Sequence, residues 1–327
     1  MPEDGQQTSE GGRVEVVVPS YNHAPYVAAA LRSVFAQTRA PARLLVIDDG
    51  SRDGSPQVIG DALKECPFPC ELIARGNRGL CATLNEGLAQ TAGEYFAYLG
   101  SDDLWLPGFL EARVALLRER GRAVLAYGHA YLIDGRGEVF DCTLDWARYA
   151  DGDARRMLLE ETYAPMSPTV VYRRSAVGRH GWNESARLED YELYLKLCAD
   201  GEFAFDPRVL SAWRRHGTNS SGDFAWMIEA RLEAQRNASA HLKLSRSQLG
   251  RYQRALNFAG AEDLLRLGDK RAALKYLRRG LTGAPSASAL AKVALRLVTP
   301  YSLVRRRDRR RQTDAARRYG ETLNDER

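Results

Sequence analysis

The chain has 327 residues, more than one average domain, so a main domain with an appendage is expected. Its 44% hydrophobic and 27% charged residues are ordinary for a soluble globular protein. No apolar run reaches the roughly 18–20 residues of a bilayer span, and the polar stretch Met1–Gly12 lacks the order of a secretory signal, so spanning and secreted classes are excluded and a cytoplasmic location is expected. The net charge of +5 resides in Arg305–Arg311, six arginines and one aspartate on an otherwise neutral body. Five scattered cysteines, with Cys66 and Cys70 the only close pair, read as reduced packing thiols. The sequons at Asn183, Asn219 and Asn237 read as chance.

The first half alternates strand and helix patterns. Val14–Val18 is a β-branched run ended by Pro19, and Val27, Leu31, Val34 and Phe35 recur at helical spacing. A strand at Leu44–Ile47 leads into the turn residues Asp48–Ser51, followed by a helix over 55–64 and a strand over 71–74. A helix over 80–91 and the strand Tyr95–Leu99 complete the series. Strands separated by helices of this length give β-α-β units and a parallel sheet with helices on both faces. Ligands of such sheets bind beyond the carboxyl ends of the strands. That rule marks Pro19–Asn22, Asp48–Ser51 and Gly100–Asp103. Past residue 120, short strands at 123–127, 170–172 and 209–213 alternate with irregular stretches. From Phe224 the pattern is helical, with stops at Gly268, Gly283-Ala284-Pro285 and Pro300. The expected division is a disordered 1–13, a catalytic domain over 14–222 and a helical extension over 223–327.

Six motifs occur in order: Val16-Val17-Val18-Pro19-Ser20-Tyr21-Asn22, Asp48-Asp49-Gly50-Ser51, Asn77-Arg78-Gly79-Leu80, Asn85-Glu86-Gly87, Gly93-Glu94-Tyr95 and Leu99-Gly100-Ser101-Asp102-Asp103. Over roughly residues 14 to 218 the chain resembles the family 2 inverting glycosyltransferases of the GT-A fold, of the bacterial surface-polysaccharide type. The resemblance implies transfer of a hexose or N-acetylhexosamine from a nucleotide-diphosphate sugar, UDP-linked in the usual case, to a glycan or lipid-linked acceptor. Pro19, Tyr21, Asn22 and Asp49 would then line the nucleotide, and Arg78 in its Gly-flanked loop would reach the diphosphate.

Closely spaced carboxylates suit a hard divalent cation that neutralises the departing diphosphate. The family pattern has Asp-x-Asp where this chain has Gly100-Ser101-Asp102, so one carboxylate is missing. Mn2+ or Mg2+ is expected on Asp102 or Asp103, with His216 in Trp213-Arg214-Arg215-His216-Gly217-Thr218 as a further ligand and Asp102 also near the donor. His23 follows Asn22 and can line the donor site, whereas His129, His180 and His241 read as packing or surface residues. Direct displacement needs a base for the acceptor proton. Leu188-Glu189-Asp190-Tyr191 resembles the family's Glu-Asp motif, which makes Asp190 the base and Glu189 its helper.

The tail has its own signals. Gly268-Asp269, Ala273, Gly280 and Pro285 are spaced as in a single tetratricopeptide-type helix pair, expected to pack on the catalytic domain. Leu290, Val293, Ala294, Leu297 and Val298 form an apolar stripe ahead of the arginines, which reads either as core or as a membrane-surface helix on anionic lipid. Nucleic acid is not an expected partner. Three other classes compete. A nucleotidyltransferase would want a Gly-rich, basic loop after the first strand, and a dehydrogenase would want Gly-x-Gly-x-x-Gly there; neither is present. A degenerate fold acting as a scaffold draws on Gly100, but Asp102, Asp103, Asp190 and His216 argue against it.

Overall fold

A computed structural model describes residues 12–217 and 223–325, with backbone alone at 308–309 and 321–325. Most of the expected N-terminal segment, the polar stretch 218–221 and the boundary at 222 lie outside the described residues.

Four strands, β1 (Val14–Ser20), β2 (Arg43–Asp48), β3 (Cys70–Ala74) and β4 (Tyr95–Tyr98), pair in parallel in the order β3-β2-β1-β4. They are joined by α1 (Val27–Phe35), α2 (Ser55–Leu63) and α3 (Leu80–Gln90). Alternation along the strands sends neighbouring side chains to opposite faces. Val17, Leu45, Ile47, Phe96 and Tyr98 enter one core, with Leu84 and Leu88 of α3. Val16, Val18, Leu44, Val46 and Ala97 enter the other, with Leu31 of α1 and Ile59 of α2. Both faces are thus covered, which is why these strands read as unbroken apolar runs. α3 lies so close to β1 that a Cβ at Gly87 would sit 2.7 Å from Val17, so only glycine fits that crossing.

The remainder of the sheet is mixed. β5 (Leu104–Trp105), α4 (Phe109–Glu119), β6 (Ala123–Ile133), β7 (Val139–Cys142), α5 (Arg155–Leu159), β8 (Val171–Arg173), α6 (Arg174–Val177), α7 (Glu189–Asp200) and β9 (Glu202–Arg214) follow in sequence. β8 pairs antiparallel with β4 and β6, and β6 with β9 in parallel, giving the order β3-β2-β1-β4-β8-β6-β9-β5 with β7 on β6. β6 and β9 run well past the short strands expected there. At Gly128 the Arg113 guanidinium occupies the space of a side chain. Arg113 is fully buried, its Nη1 2.7 Å from Asp206 and its Nε donating to the Thr169 carbonyl at 3.2 Å. Removing one member of a buried pair strands the other charge, so Arg113→Ala is expected to lower stability by about 3–5 kcal/mol in urea denaturation. The lower end applies because Arg208 also holds Asp206, at 2.7 Å.

The C-terminal third is helical: α8 (Phe224–Ala238), α9 (Arg246–Leu267), α10 (Lys270–Gly280), α11 (Ala287–Val298) and α12 (Tyr301–Asp325). A capping box between Ser245 and Gln248 opens α9, and Gly268 at φ 88° closes it. α8 to α11 share a small core of Ile228, Leu256, Leu264, Tyr276 and Val293. Ala234 and Ala238 of α8 also join the core of the catalytic part.

The apolar stripe on α11 is divided: Val293 and Leu297 pack inward, whereas Leu290, Ala294 and Val298 are exposed, as is Leu295 beside them. α12 folds back on the sheet. Its Ala315 and Tyr319 are buried with Tyr131, Ile133, Val139 and Ala212, and the Tyr319 hydroxyl donates to Asp145 at 2.8 Å. A chain ending near Pro285 would therefore lose packing as well as charge. Among the described residues, no helix is long and apolar enough to cross a membrane.

Candidate active site

The loops after β1 and β2 are tied to each other by local hydrogen bonds. Asp48 accepts from the Ser51 amide at 2.9 Å and its hydroxyl at 2.6 Å, an Asx turn that ends β2. Asn22, at φ 54°, accepts from the Arg52 amide at 2.9 Å and donates its own amide to Ser51 Oγ at 2.8 Å. Pro19 is buried one residue before the end of β1, opposite Ile47, and Tyr21 stands out into solvent.

Asp49 and the arginines differ from expectation. The Asp49 carboxylate accepts from the amides of Arg78 and Gly79, each at 2.8 Å, and is ion-paired with Arg75. Arg75 also reaches Glu86 at 2.7 Å and Thr83 Oγ1 at 2.9 Å. Arg75 is thus the inward arginine of this loop. The Arg78 side chain is exposed, 3.4 Å from Glu86, and the structure brings it to no other acidic group among the described residues. In this conformation Asp49 organises the loop 76–79, because its oxygens are occupied by that loop's own donors.

The acidic turn after β4 gathers three ligand-type side chains: Asp102, His216 and His23, with ligand atoms within 4.8 Å of one another. His216 Nε2 lies 3.0 Å from Asp102 Oδ2, and His23 Nδ1 lies 3.8 Å from Asp102 Oδ1 and 2.8 Å from Ser101 Oγ. Tyr26 stacks on His216 at 4.8 Å, and the Arg214 guanidinium covers Tyr26 at 5.0 Å. Burial pushes the His23 pKa down, with the His216 charge adding to it against the pull of Asp102. The lowered value favours the neutral imidazole, the form that ligates a cation.

His23, rather than Asp103, is the third side chain of this group. Asp103 is buried, accepts from the Arg214 amide at 2.8 Å, and has its pKa raised well above the carboxylate range by burial and then by Asp102. In this structure one oxygen of Asp103 is engaged by the Arg214 amide, and Asp103 is not among the three ligand-type side chains that meet at the turn. Arg214 donates Nε to the Asp102 carbonyl at 2.7 Å, holding the turn from the far side. A Cβ at Gly100 would lie 2.9 Å from Asp103 Oδ2 and 3.0 Å from Asp102 Oδ1, so a carboxylate there would require both acidic side chains to shift. Two imidazoles and one carboxylate suit Mn2+ better than Mg2+, which prefers oxygen alone.

Glu189 and Asp190 open α7. Acidic residues in a first turn also favour the helix dipole, and Asp190 Oδ1 accepts from the Tyr191 amide at 2.6 Å. Burial raises both carboxyls. Glu189 is raised further, because the Asp190 charge adds to its burial, while Arg231 of α8 pulls Asp190 back down. The shifts lie in the same direction and differ in degree, with Asp190 held lower by the Tyr191 amide and Arg231.

Arg231 also covers the Tyr191 ring at 4.5 Å. Neither it nor Arg75 carried a motif that would mark it in the sequence. The side chains of Asn183 and Asn237 both donate to Glu192, at 3.1 and 2.9 Å.

The profile described as Glycosyl transferase family 2 matches residues 15–181. An uncharacterized glycosyltransferase of Nostoc sp. is 29% identical over 168 residues, which are 50% of this chain and 52% of that protein. One of Rickettsia typhi is 26% identical over 227 residues, 66% of this chain and 68% of the relative. The chain thus spans about half the length of the Nostoc relative.

Two solved structures share the fold. Staphylococcus aureus TarS, in complex with UDP-GlcNAc, has a TM-score of 0.61 at 18% identity and covers 96% of this chain and 92% of its own. The mannosyltransferase PcManGT of Pyrobaculum calidifontis, in complex with GDP-Man and Mn2+, has a TM-score of 0.56 at 19% identity and covers 95% and 88%. The mixed sheet with flanking helices is that of GT-A glycosyltransferases.

Proposed function

Since this chain belongs to glycosyl transferase family 2, we propose that residues 14–222 transfer a hexose or N-acetylhexosamine from a nucleoside-diphosphate sugar, with inversion, to a hydroxyl of a glycan or lipid-linked acceptor in cell-surface polysaccharide assembly. The observation that carries this reading is the meeting of Asp102, His23 and His216 at the carboxyl edge of β4. Ligands of open α/β sheets bind at that edge.

Asp102, His23 and His216 would hold Mn2+. When bound, the cation would supply charge neutralisation for the leaving diphosphate. Asp190 accepts the acceptor's proton, and Glu189 orients it or the acceptor. Pro19, Tyr21 and Asn22 border the nucleotide, Asp49 and Arg75 shape the loop beside it, and exposed Arg78 is free to turn toward a phosphate. Incubation with a labelled nucleotide sugar and Mn2+ tests the reaction class. Release of nucleoside diphosphate is expected; release of pyrophosphate would mean a nucleotidyltransferase, and no turnover a scaffold.

The acid limb of the rate profile follows from the direction of the Asp190 shift. A base must be ionised, and burial raises the pH at which this carboxyl ionises. Turnover is therefore expected to fall as pH drops through a value above the ordinary carboxylate range. Arg231 favours the ionised form, so Arg231→Met should move that limb to higher pH. An unmoved limb would separate Arg231 from the base.

Residues 223–327 are proposed as an extension that holds the enzyme against anionic lipid, where lipid-linked acceptors reside. Leu295, Val298 and Leu303 are exposed on α11 and α12 beside Arg305, Arg306, Arg307 and Arg310. Each arginine near an anionic leaflet contributes about 1 kcal/mol. Replacing these four by Gln leaves Ala315 and Tyr319 in place, so the fold is kept. The expected result is loss of sedimentation with phosphatidylserine vesicles at low salt and unchanged donor hydrolysis. Indifference of the intact chain to such vesicles would overturn this role.

A further inference from the structure

A second cluster lies apart from the acidic turn. His180 follows α6, Asp200 is the last residue of α7, and His241 follows α8. Their ligand atoms all fall within 4.8 Å of one another. His180 Nε2 is 2.7 Å from Asp200 Oδ2, and His241 Nε2 is 3.1 Å from Asp200 Oδ1. The rings meet edge to face with centroids 4.8 Å apart, so both Nε2 atoms converge on one carboxylate from different sides. Burial works against the Asp200 charge, but hydrogen bonds from His180, Arg179 and His241 outweigh it and hold the carboxyl below its usual value.

We propose that His180, Asp200 and His241 form a second divalent-cation site, of the zinc class, that clasps the catalytic part to the helical extension. Two imidazole nitrogens and one carboxylate are the three protein ligands of a zinc site that keeps one position open. Tetrahedral ligands at about 2.0–2.1 Å from zinc stand about 3.4 Å apart, so the 2.7 and 3.1 Å contacts to Asp200 need open only by a few tenths of an ångström to admit the ion. The open position has a place to face: Asp200 and His241 line a cavity of about 690 Å³ whose other walls include Arg155, Lys243 and Tyr252. Its cationic walls suit a water or an anion as the fourth ligand.

Arg179 now donates to Asp200 Oδ2 at 2.9 Å, but its guanidinium is half exposed and can withdraw into solvent. The site closes the C-terminal end of α7, whose first turn carries Asp190, and it ties α7 to the end of α8, which carries Arg231. Its role is positional: it fixes the two helices that surround the base.

The test uses the full chain, stripped with chelator and titrated with Co2+, whose visible absorption reports tetrahedral ligation. His180→Gln and His241→Gln each keep an N–H donor for Asp200 but remove the ligand, so both variants should fold. The expected result is the loss of one cobalt equivalent in each, while His216→Gln loses a different equivalent and keeps the tetrahedral band. Zinc should also raise the melting temperature of the parent chain by more than that of His241→Gln, which keeps only the site at the acidic turn. Equal cobalt stoichiometry and spectra in the parent and both variants would overturn the site. So would a melting temperature lowered equally with and without zinc, because the cluster would then be a hydrogen-bonded clasp alone.

Discussion

Replacing Asp190 by Asn is expected to lower the transfer rate by at least about 100-fold, the lower end for loss of a general base. Donor affinity should stay close to that of the parent chain, because Asp190 lies at the head of α7 and the proposed nucleotide loops follow β1 and β2. The amide is nearly isosteric, so the accepted bond from the Tyr191 amide can be kept and the helix start preserved. Turnover at saturating donor and calorimetric donor binding measure the two halves separately. A near-normal rate in a folded Asp190→Asn chain would place the base elsewhere. A parallel loss of donor binding would make Asp190 part of the donor site.

The second large effect concerns the cation. Removal of metal by chelator is expected to abolish donor turnover, and Mn2+ to restore it more fully than Mg2+, because two of the three candidate ligands are imidazoles. Asp102→Ala should weaken nucleotide-diphosphate binding when Mn2+ is present and leave the weak metal-free binding unchanged. His23→Ala should reproduce part of that loss, which distinguishes this set from one built on Asp103. Asp103→Asn keeps an acceptor for the Arg214 amide and should cost much less than Asp102→Ala. Full activity in chelator would instead point to cation-independent chemistry resting on protein cations such as Arg78.

Much of the fold was legible because its strands are buried on both faces. β1, β2 and β4 read as apolar runs, and the rule about carboxyl ends then pointed to the three loops that the structure brings to one edge. The mixed half was harder. β6 carries Gly128 and His129, which read as a break, yet buried Arg113 fills the space beside Gly128 and the strand continues to Ile133. β9 pairs with β6 through three register shifts, and no period-2 pattern survives them.

At the site, sequence order identified the acidic turn but not the direction of each side chain. Neighbours in a turn point apart, so Asp102 meets His216 while Asp103 takes the Arg214 amide. Arg75 and Arg78 are three residues apart, and which one turns inward is decided by Asp49, whose oxygens receive the amides of residues 78 and 79. The arginine-rich tail was legible as charge. That its helix also packs Tyr319 against the sheet was not, because that contact joins residues 174 positions apart.

The most direct test of the central claim, a direct displacement at the sugar carbon, is the anomeric form of the first product. Water can stand in for the unknown acceptor, so the measurement is early-time proton NMR of the sugar released from an α-linked nucleotide sugar with Mn2+, read before mutarotation. The β-anomer is expected to appear first, together with nucleoside diphosphate, and both should be lost in Asp190→Asn. An α-anomer appearing first would contradict single displacement and the role given to Asp190.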